Sequence, residues 1–144
     1  MKNIILLILL SILGTNAFCI YNNIEKGADG TVTKYWLRQQ PYNAGPNYFS
    51  RFANYNLANG EKTCCAYTNT DCCRSGKIDD ELYMVAARTT GTMTFPPLVI
   101  SFPSGGSIVF NGDANPATEK IKVYNPDGSP YGFKFRVDDQ AGYT

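Results

Sequence analysis

The chain has 144 residues, 44% of them hydrophobic and 17% charged, with thirteen Lys and Arg against twelve Asp and Glu. That length makes one ordinary domain able to bury a core, and the near balance of charge excludes the basic field that nucleic acid requires. No histidine occurs, which excludes Ser-His-Asp and Cys-His catalysis, histidine metal ligation and a histidine pH switch. An aromatic content of 13% argues against a disordered chain.

The chain opens with Met1-Lys2-Asn3 and the apolar run Ile4–Leu13. The run is about half the length of a membrane-spanning helix. Gly14-Thr15-Asn16-Ala17 follows it, with small residues where a signal peptidase reads, so residues 1–17 are expected to be a signal peptide cleaved after Ala17. The expected mature domain, 18–144, loses only Lys2 among the charged residues and carries twelve of each sign. Its localisation is then secreted and extracellular.

Beyond the leader, period-two alternation recurs and clean helical periodicity is absent. Thr31–Arg38 is β-branched or aromatic at most positions and follows the turn cluster Gly27-Ala28-Asp29-Gly30, so it is expected as a strand. Residues 39–56 are rich in Tyr, Asn and Gln and poor in charge. Rings stack on sugar C–H faces while amides bond hydroxyls, so this segment suits a glycan, and equally a protein partner. Its bland reading is a long connection whose Tyr48, Phe49 and Phe52 cover one end of the core.

Cys64-Cys65 and Cys72-Cys73 are two vicinal pairs separated by six residues. In an exported chain disulfides are the expected use of such cysteines. Neighbours on a strand point to opposite faces, so bonds between the pairs are expected rather than within them. The nested arrangement, Cys64 with Cys73 and Cys65 with Cys72, suits an antiparallel hairpin. Cys19 is unassigned: it ties the N-terminal strand to the cysteine loop and frees a loop cysteine, or stays free, or links two chains. Zinc is the lesser reading, because structural sites space their cysteines by two to four residues. No metal and no cofactor is expected.

Asp79-Asp80-Glu81 is the main acidic cluster. Leu82–Arg88 is read as a strand, despite residues that favour helix. Leu98–Phe102 and Ser107–Phe110 flank Pro103-Ser104-Gly105-Gly106 as one expected hairpin. Asn111–Asn115 has the look of a calcium loop, but Pro116 and Lys122 stand where an EF-hand needs Gly and Glu. A calcium site from clustered loops would draw on Asp113, Asp127 and Asp138; solvated turns are the blander use of all these carboxylates. Finally, Lys120–Val123 and the alternating Tyr131, Phe133, Phe135 and Val137 flank Asn125–Pro130, a second expected hairpin.

Turn signals every ten residues or so fit an all-β chain, a single antiparallel β-sandwich of jelly-roll or immunoglobulin-like kind, or an open barrel. Ile20-Tyr21-Asn22-Asn23 followed by Asn59-Gly60-Glu61-Lys62-Thr63-Cys64-Cys65-Ala66-Tyr67-Thr68-Asn69-Thr70-Asp71-Cys72 resembles small secreted cysteine-containing fungal proteins of the candidate-effector type. The resemblance implies an extracellular location, a β-sandwich-like fold and no established catalysis.

The expectation is therefore a non-enzymatic binding protein, an effector candidate recognising an extracellular protein or cell-wall glycan. Tyr42, Tyr48, Phe49, Tyr55 and Tyr67 are the contact candidates. It is expected as a monomer or Cys-linked dimer that takes no nucleic acid. A membrane-active β-sandwich is the second reading, and a small hydrolase using Asp79 and Asp80 the third.

Overall fold

The computed structural model describes residues 17–40 and 51–137, the last three by their backbone. Residues 1–16 of the expected signal peptide, and Tyr42, Tyr48, Phe49 and Asp138, lie outside the described residues. Among the described residues there are ten strands: β1 Ala17–Ile24, β2 Thr33–Gln40, β3 Ala53–Leu57, β4 Lys62–Ala66, β5 Glu81–Thr90, β6 Met93–Thr94, β7 Leu98–Pro103, β8 Ser107–Gly112, β9 Lys120–Tyr124 and β10 Phe135–Val137. A 3-10 turn at Pro116–Thr118 precedes β9. The fold is all-β with two sheets, ordered β4-β1-β8-β9 and β10-β7-β5-β2-β3, and β6 pairs with β5.

Alternation explains which residues meet between the sheets. Tyr35, Leu37, Leu82, Met84, Ile100 and Phe102 of one sheet, with Phe18, Ile20, Ile24, Ile108, Phe110 and Val123 of the other, belong to one buried cluster. Phe18 is its hinge between layers, its ring edge-on to both Phe52 and Phe102 at 5.1 Å. Each such ring or aliphatic chain contributes about 1.5–3 kcal/mol by leaving water.

Two asparagines also tie the sheets together. Buried Asn22 of β1 donates to the carbonyls of Thr33 and Leu57, at 3.1 and 3.0 Å, and accepts from the Ile24 amide. Asn59 donates to the Ile24 carbonyl and accepts from the Thr33 amide. Both use backbone groups that the sheet ladders leave over, which is how a polar side chain is buried without loss.

Three expectations need correction. β7 and β8 are strands as expected but not a hairpin: β7 pairs with β5 and β10, β8 with β1 and β9. The Pro103–Gly106 turn instead carries the chain between sheets, held by Ser104 and Gly105 amides donating to the Asp80 and Ile78 carbonyls. A Cβ on Gly105 would lie 2.3 Å from Ile78 Cγ1, and one on Gly106 would lie 2.1 Å from the Tyr124 carbonyl oxygen. Only glycine fits such approaches.

The second correction follows from the first. Delivered by that crossing, β8 runs parallel to β1, from Cys19 opposite Ser107 to Ile24 opposite Gly112. The sheets are thus not wholly antiparallel, and the parallel pair is allowed because the other sheet supplies a long connection. Third, the Asn125–Pro130 turn forms, with Gly128 at φ 84° and the Tyr131 amide donating to the Val123 carbonyl. The chain then leaves β9, and only Phe135–Val137 is strand, paired with β7 in the other sheet.

The cysteines are corrected in part. Cys65 joins Cys72 as expected, but the nested Cys64–Cys73 bond does not form; of the three uses left open for Cys19, it ties the N-terminal strand to the cysteine loop through Cys64 and leaves Cys73 as a buried free thiol. Register is the cause: β4 pairs with β1, which sets Cys19 directly opposite Cys64. Cys65 belongs to the other face, where it packs against the core. Neighbours on β4 do point to opposite faces, and the strand beside β4 is β1 rather than a hairpin arm carrying Cys73. The Cys73 Sγ donates to the Lys77 carbonyl and lies 3.4 Å from Ser75 Oγ.

Candidate functional site

Strand β2 presents two chemistries, one on each face. Thr33, Tyr35, Leu37 and Gln39 are buried, while Lys34 and Arg38 are exposed and Trp36 is half-buried. Pairing with β5 sets Ala87 opposite Trp36 and Thr89 opposite Lys34, and β6 sets Thr94 opposite Thr89. Directly opposed residues share a face. These residues and Tyr55 of β3 line an open groove of about 590 Å³ on the outer side of the larger sheet.

The groove's floor is small and its wall aromatic. Trp36 and Tyr55 stack with ring centroids 5.1 Å apart and planes inclined by 21°. Tyr55 remains 60% exposed, the largest exposure among the big apolar or aromatic side chains described. Indole and phenol faces next to hydroxyls and one ammonium can stack a ring ligand and bond its substituents.

On the inner face, Tyr35 stacks on Phe110 at 3.9 Å, and its hydroxyl donates to the Glu119 carboxylate. Arg88, 5% exposed, bonds Glu119 Oε2 at 2.9 Å through Nη1, Thr90 Oγ1 at 2.9 Å through Nε and the Asp113 carbonyl at 2.8 Å through Nη2. Phe95 lies under the guanidinium at 5.9 Å. Burial, and then the Glu119 charge, push the Tyr35 phenol well above its ordinary value. A cavity of about 260 Å³ adjoins this cluster, with Phe95, Pro96 and Leu98 on its walls. Since each guanidinium nitrogen already has a protein acceptor, the cluster acts as a strut between the sheets rather than as a catalytic dyad.

A third cluster surrounds Glu81, which accepts from Tyr83 at 2.6 Å and from Tyr131. The Tyr131 bond first, then the Tyr83 bond, hold this carboxyl below its usual value. Tyr131 is pushed up to about 12 by burial and then by Glu81.

The candidate contacts named from sequence divide accordingly. Tyr55 is in the groove, whereas Tyr67 is half-buried and packs against the core. Asp79 is exposed, and Asp80 accepts a hydrogen bond from Ser75. Asp113 accepts from the Asn115 amide and the Thr118 hydroxyl, closing its own turn, and Asp127 does the same with Ser129. Among the described residues no group of three or more Cys, Asp and Glu is placed to hold a metal ion.

Trp36, Lys34, Thr89 and Thr94 were missed. The signal was present: alternation puts Trp36 on the same face as Lys34 and Arg38, away from Tyr35 and Leu37.

The two disulfides are bonds of an oxidising compartment, and no helix among the described residues is long and apolar enough to cross a membrane. No family model, curated protein or solved structure matches the chain.

Proposed function

We propose that the chain is a secreted, non-enzymatic β-sandwich of jelly-roll or immunoglobulin-like kind that binds an extracellular glycan on the outer face of β2, β3 and β5. The carrying observation is the stack of half-buried Trp36 on exposed Tyr55, in a groove whose other described groups are one alanine, two threonines and the Lys34 ammonium. A fully buried stack serves packing; one whose Tyr55 ring stays 60% exposed beside hydrogen-bonding groups can serve as a platform for a sugar ring. The export-type leader and the two disulfides support an extracellular setting. The resemblance of the cysteine segment to small secreted fungal proteins points the same way, and an effector role is part of this proposal.

Co-sedimentation of the oxidised protein with a panel of insoluble polysaccharides tests the reading. Retention on at least one polysaccharide, competed by its soluble oligomers and lost in Trp36→Ala, is the expected result. Retention on liposomes alone would replace it with the membrane-active reading. Binding that survives both Trp36→Ala and Tyr55→Ala would move the site elsewhere.

A further inference from the structure

We infer that the groove is selective for an anionic glycan, with Lys34 pairing to a carboxylate or sulfate carried on a ring that stacks on Trp36 and Tyr55. This rests on the glycan-binding reading and deepens it.

Charge complementarity carries the inference. The described lining is Lys34, Trp36, Tyr55, Ala87, Thr89 and Thr94: two aromatic rings, one cation, two hydroxyls and no carboxylate. Lys34 stands two residues from Trp36 along β2, about 6.5 Å at strand rise, and on the same side of the sheet. Its flexible four-carbon stem lets the ammonium reach an acidic substituent at the rim of a stacked sugar.

The row across the strands adds to this. Lys34 is opposite Thr89, and Thr89 is opposite Thr94, so a cation and two hydroxyls lie side by side, with neighbours about 5 Å apart. An anionic oxygen in that row takes an ammonium N–H and a hydroxyl O–H together, the stronger, charge-assisted kind of hydrogen bond. A neutral sugar would leave the ammonium without a matched charge.

Lys34 as the one cation among the described lining residues also separates this ligand from nucleic acid, whose phosphates call for a basic stripe. The expected mature chain carries balanced charge, so selectivity arises at Lys34 and not from a long-range field.

The test uses the disulfide-bonded protein and three soluble polymers: a polyuronate, a sulfated glucan and an uncharged glucan. Affinity is measured for the unaltered protein, Lys34→Gln and Trp36→Ala, at low and high salt. Lys34 is exposed, so Lys34→Gln is expected to fold normally, checked by its thermal midpoint.

The expected result is preference for an acidic polymer, a loss of about tenfold in Lys34→Gln, and a salt dependence that the variant lacks. Binding of the polyuronate alone identifies carboxylate as the anion, and binding of the sulfated glucan alone identifies sulfate. Equal binding of the uncharged glucan with no effect of Lys34→Gln overturns the inference while leaving the glycan platform standing. Binding of none of the polymers overturns the platform as well.

Discussion

The two faces of β2 carry the same motif in opposite solvents. Tyr35 stacks on Phe110 inside, at 3.9 Å and 16°; Trp36 stacks on Tyr55 outside, at 5.1 Å and 21°. Inside, the polar groups at the stack are paired: the Tyr35 hydroxyl meets Glu119, and Glu119 meets Arg88, while further along the same face Gln39 Oε1 is buried without a partner among the described residues. Outside, the stack borders a cation and two threonine hydroxyls. One residue's step along a strand therefore changes an aromatic side chain from a part of the core to a surface that a ligand can use. On the inner face burial and paired polar groups at the stack mark structure; on the outer face the Tyr55 ring and Lys34 are exposed, which is the setting of the proposed contact.

The sharpest test of the inner face concerns the Cys73 thiol, fully buried in the same core. Its modification by a thiol reagent should be slowed more than about a thousandfold in the native protein, since reaction requires opening against several kcal/mol. Intact mass should show one reactive cysteine per chain in denaturant without reductant, matching the one free thiol. Rapid native labelling would mean that the inner side is not sealed, and the contrast between the faces would break.

Next in size is Arg88→Ala. It leaves the Glu119 carboxylate without its cation and removes the guanidinium bonds to the Asp113 carbonyl and to the Thr90 hydroxyl, which keeps its bond with Thr33. Loss of one partner of a buried pair costs about 3–5 kcal/mol. The low end, about 3 kcal/mol, is expected because the Glu119 side chain keeps 17% of its exposure and can regain some water. Urea unfolding would measure it. A loss under about 1 kcal/mol would place the pair with surface salt bridges and return the cluster to consideration as a ligand site.

How much of this was readable beforehand follows the range of the interaction. Local composition and turn signals made the strand character of Thr31–Arg38 and Leu98–Phe102 legible, the neighbouring strands that of Leu82–Arg88, and the short separation of seven residues the Cys65–Cys72 bond. The choice of sheet was not. Whether Pro103–Gly106 turns back or crosses depends on Ile78 and Tyr124 standing where no Cβ fits, and nothing near residue 105 announces that. The Cys19–Cys64 bond spans 45 residues and follows from the β1–β4 register. The groove was half legible: Tyr55 stood out by composition, whereas Trp36 needed its face assigned before its exposure had meaning.

Tyr35→Phe is the next smaller change. It removes the hydroxyl from Glu119 while Arg88 still holds that carboxylate, so about 1 kcal/mol is expected. The pH dependence distinguishes this from a packing loss. Tyr35 titrates near 10.0 when unfolded and higher when folded, so the native state holds the proton more tightly. Its contribution is full below pH 10.0 and falls as pH rises above that value. The variant should lose that part of the alkaline decline and keep the part due to Tyr131, which persists until about pH 12. An unchanged alkaline profile in urea midpoints would mean that neither burial nor Glu119 raises the Tyr35 phenol above its ordinary value.

The smallest effect on stability, and the one that defines the outer face, belongs to Tyr55→Ala. At 60% exposure the ring has little area withdrawn from water, and its stack on Trp36 replaces contact that solvent otherwise makes. A change within about 0.5–1 kcal/mol is expected, the scale of an exposed cross-strand aromatic pair. Glycan retention should nevertheless fall about tenfold or more, as base–aromatic stacks worth 1–3 kcal/mol do in comparable platforms. If stability fell by several kcal/mol instead, Tyr55 would belong with Tyr35 as a packing residue. A small stability change with intact binding would keep the ring on the surface but remove it from the site. Only the pairing of near-native stability with lost binding separates a platform from a piece of the core.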